Sequence, residues 1–282
     1  MDFEKLNTLA AALPDQYKAN AQALLTRMTE VIEGIGDNDV KWRPPLLKLV
    51  QAVSDRSKLP KGAGAGDIVI GDAKVEQPLG FIPMRMWNAR QYWSPDQNEA
   101  KILCSSQDAK VGYLGDCNTC PHSKFDEVAR KSDCSKIKVV ISIKDDLSEI
   151  FTTNFAKTNF KIGGEFETLL KKAGVAPYRR IYNMRAETSK QYKNVETYAI
   201  DTRSGKERDT PVEVLEFVTE LFNMIGVDRK ESVDQFHKYI AERSLKTAAL
   251  EAPAESGVVM IEVSEQTPAE STESSMSKRY DV

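Results

Sequence analysis

All four cysteines of this 282-residue chain lie between positions 104 and 134. Their spacing is Cys104-x12-Cys117-x2-Cys120-x13-Cys134. Two cysteines two residues apart can chelate one tetrahedral Zn²⁺ from a tight turn, and a flanking cysteine on each side can complete the set. In a reducing cytosol such clustering favours a metal over disulfides. Four thiolates leave no open coordination position, so the expected zinc is structural and performs no chemistry. An iron–sulfur cluster is the alternative, because four-thiolate sites can hold either. His122 follows Cys120 by two residues and is expected outside the ligand set.

Composition removes several other classes. A net charge of −3 and a pI near 5.7 exclude a wholly basic nucleic-acid-coating protein, though not a local basic face. There is no run of about 18 apolar residues, hence no expected transmembrane helix. The start, MDFEKLNTLAAALPDQ, lacks the basic region of a secretory signal. A cytoplasmic protein is expected. The glycines of 61–66 are not followed by Gly-Lys-Ser/Thr, which excludes a phosphate loop. No His-x-Glu, His-Glu-x-x-His or Gly-x-Ser-x-Gly occurs. No catalytic residue is assigned, and the chain is expected not to be an enzyme. The acidic residues Asp108 and Asp116 are the candidates for a rival, nucleic-acid-modifying activity.

The chain divides by texture. Residues 1–60 read as helical, with Leu6, Leu9, Ala10 and Leu13, then Ala21, Leu24, Leu25 and Met28, at helical spacing. A third short helix is expected after Pro44-Pro45. Residues 61–66 read as a flexible glycine linker. Residues 67–205 carry short apolar runs separated by turn signals, at 67–75, 79–87, 99–104, 136–144, 148–154, 178–187 and 191–202. One helix interrupts them at about 161–173. Several strands with one internal helix suit an OB-type barrel. The expected fold is therefore α+β: an OB-like β-barrel with an inserted four-cysteine zinc loop, flanked by N- and C-terminal helices. Thr210-Pro211-Val212-Glu213 is a helix start. Within 210–248 two helices are expected, the first ending at Gly226. Residues 250–282 read as a disordered acidic tail.

Charge and aromatic residues point to a ligand. Across 151–203, ten Lys/Arg face five Asp/Glu, whereas across 250–282 two face seven. Trp87, Tyr92 and Trp93 lie beside Arg85 and Arg90, and Tyr178 and Tyr182 beside Arg179, Arg180 and Arg185. In a strand, residues two apart share a face, which would align Tyr178, Arg180 and Tyr182. Aromatic rings stack on unpaired bases, and Lys or Arg neutralise phosphates. The expected contacts are Arg85, Arg90, Tyr92, Trp93, Lys157, Lys161, Tyr178, Arg179, Arg180, Tyr182, Arg185, Lys190 and Lys193. Trp87 and Tyr198 are expected in the core.

The order of these segments resembles the single-stranded-DNA-binding proteins of tailed bacteriophages. The matching residues are Gly66-Asp67-Ile68, Phe81-Ile82-Pro83, Tyr92-Trp93-Ser94-Pro95 and Ile102-Leu103-Cys104-Ser105-Ser106-Gln107-Asp108. They continue through Gly112, Gly115-Asp116-Cys117-Asn118-Thr119-Cys120-Pro121, Asp133-Cys134 and Phe151-Thr152-Thr153-Asn154-Phe155. The resemblance covers roughly residues 66–202. It implies a zinc loop inserted in an OB-type domain, single-stranded DNA as ligand, and replication or recombination proteins as partners. One departure is the end, Ser-Lys-Arg-Tyr-Asp-Val, which lacks the acidic tip of many replication binders. The rival from another class is a zinc-stabilised protein-interaction module, such as a phage transcription or host-takeover factor using the 210–248 helices.

Overall fold

The computed structural model describes residues 3–33, 44–94, 101–127, 132–189, 195–201 and 208–251. Two helices open the chain, α1 (Phe3–Ala12) and α2 (Asp15–Glu33). Pro14 stops the first, since a proline disfavours helical geometry in the residue before it. Strands β1 (Leu46–Leu49), β2 (Ile68–Ile70), β3 (Ala73–Val75) and the 15-residue β4 (Leu79–Trp93) follow. Next come β5 (Ile102–Ser106), the two-residue strands β6 (Val111–Gly112) and β7 (Gly115–Asp116), β8 (Cys134–Lys144) and β9 (Ile150–Ala156). Helix α3 (Phe160–Lys172), β10 (Arg180–Thr188), β11 (Glu196–Ile200), β12 (Arg208–Asp209) and α4 (Val212–Glu251) complete the described order. Met1–Glu242 form one compact unit and Arg243–Val282 a second.

One curled sheet organises the first unit, in the order β11-β10-β4-β8-β9-β1-β2-β3. β4 and β8 pair antiparallel from Phe81↔Lys144 to Tyr92↔Cys134, with a bulge between Pro83 and Arg85. The opposite edge of β4 is shared by β10 at Leu79–Phe81 and β5 at Arg90–Trp93. At the far side β1 runs parallel to β9. The sheet bends until β1 and β11 approach. Gln51 Nε2 donates to the Glu196 carbonyl, and Glu196 N–H donates to Gln51 Oε1, each at 2.9 Å. The result is a half-barrel with helices on both faces.

Alternation along β4 and β8 builds two cores. On the concave face Phe81, Val140, Phe151, Phe155, Tyr182 and Tyr198 pack against Phe166 and Leu170 of α3. On the convex face Ile82, Met84, Ile141 and Ile143 pack against Leu6, Ala10, Leu24, Leu25 and Met28 of α1 and α2. Val214, Phe217, Val218, Leu221 and Ile225 of α4 join that second core. Each fully buried large apolar side chain contributes roughly 1.5–3 kcal/mol.

Three expectations are corrected. The residues after Pro44-Pro45 form strand β1 and not a short helix: Leu46 and Leu47 find ladder partners in Thr152 and Thr153 of β9. The 61–66 stretch is a built turn, where Gly64 N–H donates to Asp67 Oδ2 at 2.8 Å and Gly66 N–H to the Val50 carbonyl at 3.0 Å. The two C-terminal helices are one, because Gly226 does not end α4. A Cβ there would stand 2.1 Å from Arg85 Nη2, so this glycine admits the arginine. Among the described residues no helix is long and apolar enough to cross a membrane.

The fold predicts a sign reversal at Gly163. Alanine normally stabilises a helix interior by about 1 kcal/mol over glycine. Here an added Cβ would meet Phe155 Cβ at 2.7 Å, where α3 lies on β9. Gly163→Ala should therefore destabilise the protein by roughly 1–3 kcal/mol of overpacking, read as a lower midpoint in urea.

Candidate functional site

The connection from β4 to β8 carries all four cysteines. Tyr92 is flanked in register by Cys104 on β5 and Cys134 at the start of β8, so the sheet itself brings those two together. Cys117 and Cys120 come from the turn after β7. Cys117 N–H donates to the Lys110 carbonyl at 2.8 Å and Cys120 N–H to that of Asp116 at 3.0 Å. Ser123 Oγ donates to the carbonyls of Cys117 at 2.6 Å and Cys120 at 2.8 Å. The four sulfurs are unpaired by disulfides. They line one pocket of about 10 Å³ with Arg90, Tyr92 and His122, room for about one water-sized sphere. Among the described residues no three His, Cys, Asp or Glu side chains form a ready ligand cage, so the pocket gathers the thiols without holding them at ligand geometry.

Burial and Arg90 act on the thiols in opposite directions. Burial raises the Cys117 and Cys134 thiols above the usual range, against the pull of Ser106 and Arg90 on Cys117 and of Arg90 on Cys134. Left alone they stay neutral. The Nη1 of Arg90 is buried without a hydrogen-bond partner. Four thiolates around a divalent ion would form a net negative group for the Arg90 guanidinium to offset. The donor set and the orphaned nitrogen thus fit a thiolate-bound metal. His122 is used otherwise: its ring stacks on Tyr92 with centroids 4.3 Å apart, and Nδ1 lies 3.4 Å from Asp133 Oδ2.

The two acidic residues of the enzyme rival shape turns. Asp108 Oδ1 accepts from Lys110 N–H at 2.8 Å, Val111 N–H at 3.2 Å and Ser106 Oγ at 3.2 Å. Asp116 Oδ1 accepts from Asn118 N–H at 2.8 Å. His237 of α4 places Nε2 3.1 Å from Asp108 Oδ2.

The expected nucleic-acid residues do not form one continuous face. Arg90 and Tyr92 belong to the cysteine pocket, with exposed Trp93 next along the strand. Arg85 is held under α4, its Nε and Nη2 donating to the Phe222 carbonyl and its guanidinium 3.5 Å from the Phe222 ring centre. Tyr178 packs on Phe222 at 4.7 Å. Tyr182 is 1% exposed and sits between Phe81 and Phe166, which corrects its expected stacking role. The expected Tyr178–Arg180–Tyr182 alignment fails because Pro177–Arg179 form a 3-10 turn before β10 begins. Arg180 lies opposite Asp209 of β12. Arg179, Lys157 and Lys161 are exposed, and Arg185 is exposed but paired with Glu187. Lys190 and Lys193 lie outside the described residues.

Sequence reasoning missed the use of Trp87, which is half-buried with Arg229 over its ring at 4.4 Å. It also missed Asp108 as an anchor. The Ser-x-Asp pattern before Lys110 was the available signal, since Asp favours such backbone-capturing turns. No protein-family model matches the chain, and neither curated proteins nor solved structures give a match.

Asp108 yields a pH prediction. Burial opposes its ionisation, but the amides of Lys110 and Val111, with His237 and Ser106, outweigh it and lower its pKa. A lowered carboxyl stabilises the fold above its unfolded-state pKa, and that contribution vanishes as pH falls through the folded value. Thermal stability should decline as pH drops below about 4, the ordinary Asp value. Asp108→Asn should be less stable at neutral pH and show a shallower decline.

Proposed function

We propose that this protein binds single-stranded DNA without catalysing a reaction, and that its four cysteines hold a structural zinc ion. The observation that carries the reading is where the cysteines fall in the fold. The sequence of elements β4, β8, β9, α3, β10, β11 is strand, strand, strand, helix, strand, strand, the order of an OB barrel. The cysteine segment occupies its first strand-to-strand connection, a loop that OB domains use to bind oligonucleotides. β1 lies beside β9 and approaches β11, standing where the barrel would close.

Cys104, Cys117, Cys120 and Cys134 would hold the zinc. Bound there, it would supply no reaction chemistry and would tie the loop to β5 and to the start of β8. Exposed Lys157, Lys161 and Arg179 neutralise phosphates, and Trp93, 42% exposed, stacks on a base. On the resemblance to tailed-phage binders, the proposed setting is phage DNA replication or recombination in the host cytoplasm, with proteins of those processes as the proposed partners. Exposed Tyr113, Leu114 and Phe125 on the cysteine segment favour a second reading, a zinc-stabilised protein-interaction module.

Fluorescence anisotropy of a labelled strand about twice the 4–16-nucleotide OB site separates the two. Binding should be tight for the single strand, weak for the same sequence as duplex, and should fall steeply with salt. No binding by folded, zinc-loaded protein at low salt leaves the interaction module. Cys117→Ser should lower both the zinc content and the melting temperature, because metal-binding energy is folding energy. Unchanged zinc stoichiometry in that variant removes the metal from the proposal.

A further inference from the structure

The edge of β4 has a gap. β8 occupies one edge from Phe81 to Tyr92, so β10 and β5 must share the other. β10 pairs only as far as Phe81 and β5 begins at Arg90. Between them, residues 82–89 have no ladder partner on that side among the described residues. The bulge at Pro83–Arg85 and the 3-10 turn at Pro177–Arg179 open this space. It forms a groove of about 560 Å³ walled by Met84–Asn88, by the end of α3 and the following Gly174–Pro177, and by Phe222 of α4.

The lining is apolar and aromatic, with a cationic rim. Met86, Trp87 and Phe222 supply the apolar surface, above buried Met84 and Leu170. Arg85 and Lys171 line it, and exposed Lys172 and Arg179 lie one and two residues beyond lining positions. The carboxylate in the lining, Glu167, is bridged by Lys138 and by Lys171, the latter at 2.6 Å. Two guanidiniums already lie over rings here, Arg85 on Phe222 and Arg229 on Trp87. Each guanidinium covers one face of its ring and sets positive charge beside the cleft, and an unpaired strand edge offers backbone donors and acceptors without regard to base identity.

We propose that this gap receives bases of a bound single strand, next to Trp87 and Met86, with adjacent phosphates on Lys171 and Arg179. The proposal rests on the single-stranded-DNA reading and adds a second contact region, apart from the cysteine pocket. Charge complementarity selects the occupant. A polyanion with flat apolar bases suits an apolar cleft with surplus cations better than a neutral peptide does, and the volume exceeds that of one base.

The test compares oligo-dT binding by the full-length, zinc-loaded protein and two rim variants, Lys171→Glu and Val175→Asp. Lys171 is 75% exposed and Val175 42% exposed, so neither change disturbs a core. Each should weaken binding about tenfold, the loss of roughly one stacked base or phosphate contact, with zinc content unchanged in both; the melting temperature should be unchanged in Val175→Asp and slightly lower in Lys171→Glu, which gives up the Glu167 ion pair. Oligo-dT should quench tryptophan fluorescence in the parent protein and in Trp93→Phe, and quench it less in Trp87→Phe. Wild-type affinity in both rim variants, with the parent still binding, overturns the groove proposal alone and leaves the β4 edge as a site for an extended peptide. Undiminished quenching in Trp87→Phe also overturns it. A parent protein that binds no single strand overturns the functional reading and this proposal together.

Discussion

The pairing of β4 with β8 is the constraint on which the rest of the first unit depends. It is the longest ladder in the sheet, and it separates the two cores. Because side chains alternate across a strand, a long strand apolar on both faces must be covered on both. α3 covers one side, and α1, α2 and α4 cover the other. The same ladder ends at Tyr92↔Cys134, so the strand that carries the cores also fixes where the cysteine segment departs and returns.

The cysteine segment is held from a second direction as well. α4 reaches it through His237 at Asp108 and through the edge-to-face contact of Phe236 with Tyr113, centroids 5.1 Å apart. Farther back, the same helix seats Arg85 over Gly226 and places Arg229 on Trp87. One helix therefore contacts the convex core, the β4 groove and the cysteine segment.

Several features were legible in the residues. The period-3.6 apolar pattern of α1 and α2 and the apolar runs of β4, β8 and β9 correspond to observed elements, with boundaries shifted by a few residues. The cysteine spacing anticipated a single pocket, because two cysteines in one turn must share a neighbourhood and flanking strands return to a common sheet. β1 was misread, since Leu46-Leu47-Lys48-Leu49 is too short for either period to show and its strand form depends on an edge of β9 far along the chain. Gly226 was read as a helix stop because its role depends on Arg85, which approaches from β4.

The contact residues were the least legible. Trp87, Tyr178 and Tyr182 have the same aromatic–basic surroundings in sequence, yet one borders a groove, one packs on a helix and one is enclosed in a core. Composition and spacing by themselves determined the long periodic elements, the cysteine neighbourhood and the charge of each segment, because these depend on local chemistry and short-range periodicity. Only the tertiary structure decided which arginines and aromatics face solvent, that Arg90 is turned to the cysteines, and that the β4 edge stays open. Those outcomes depend on which distant element arrives to cover a side chain, and no local pattern encodes that arrival.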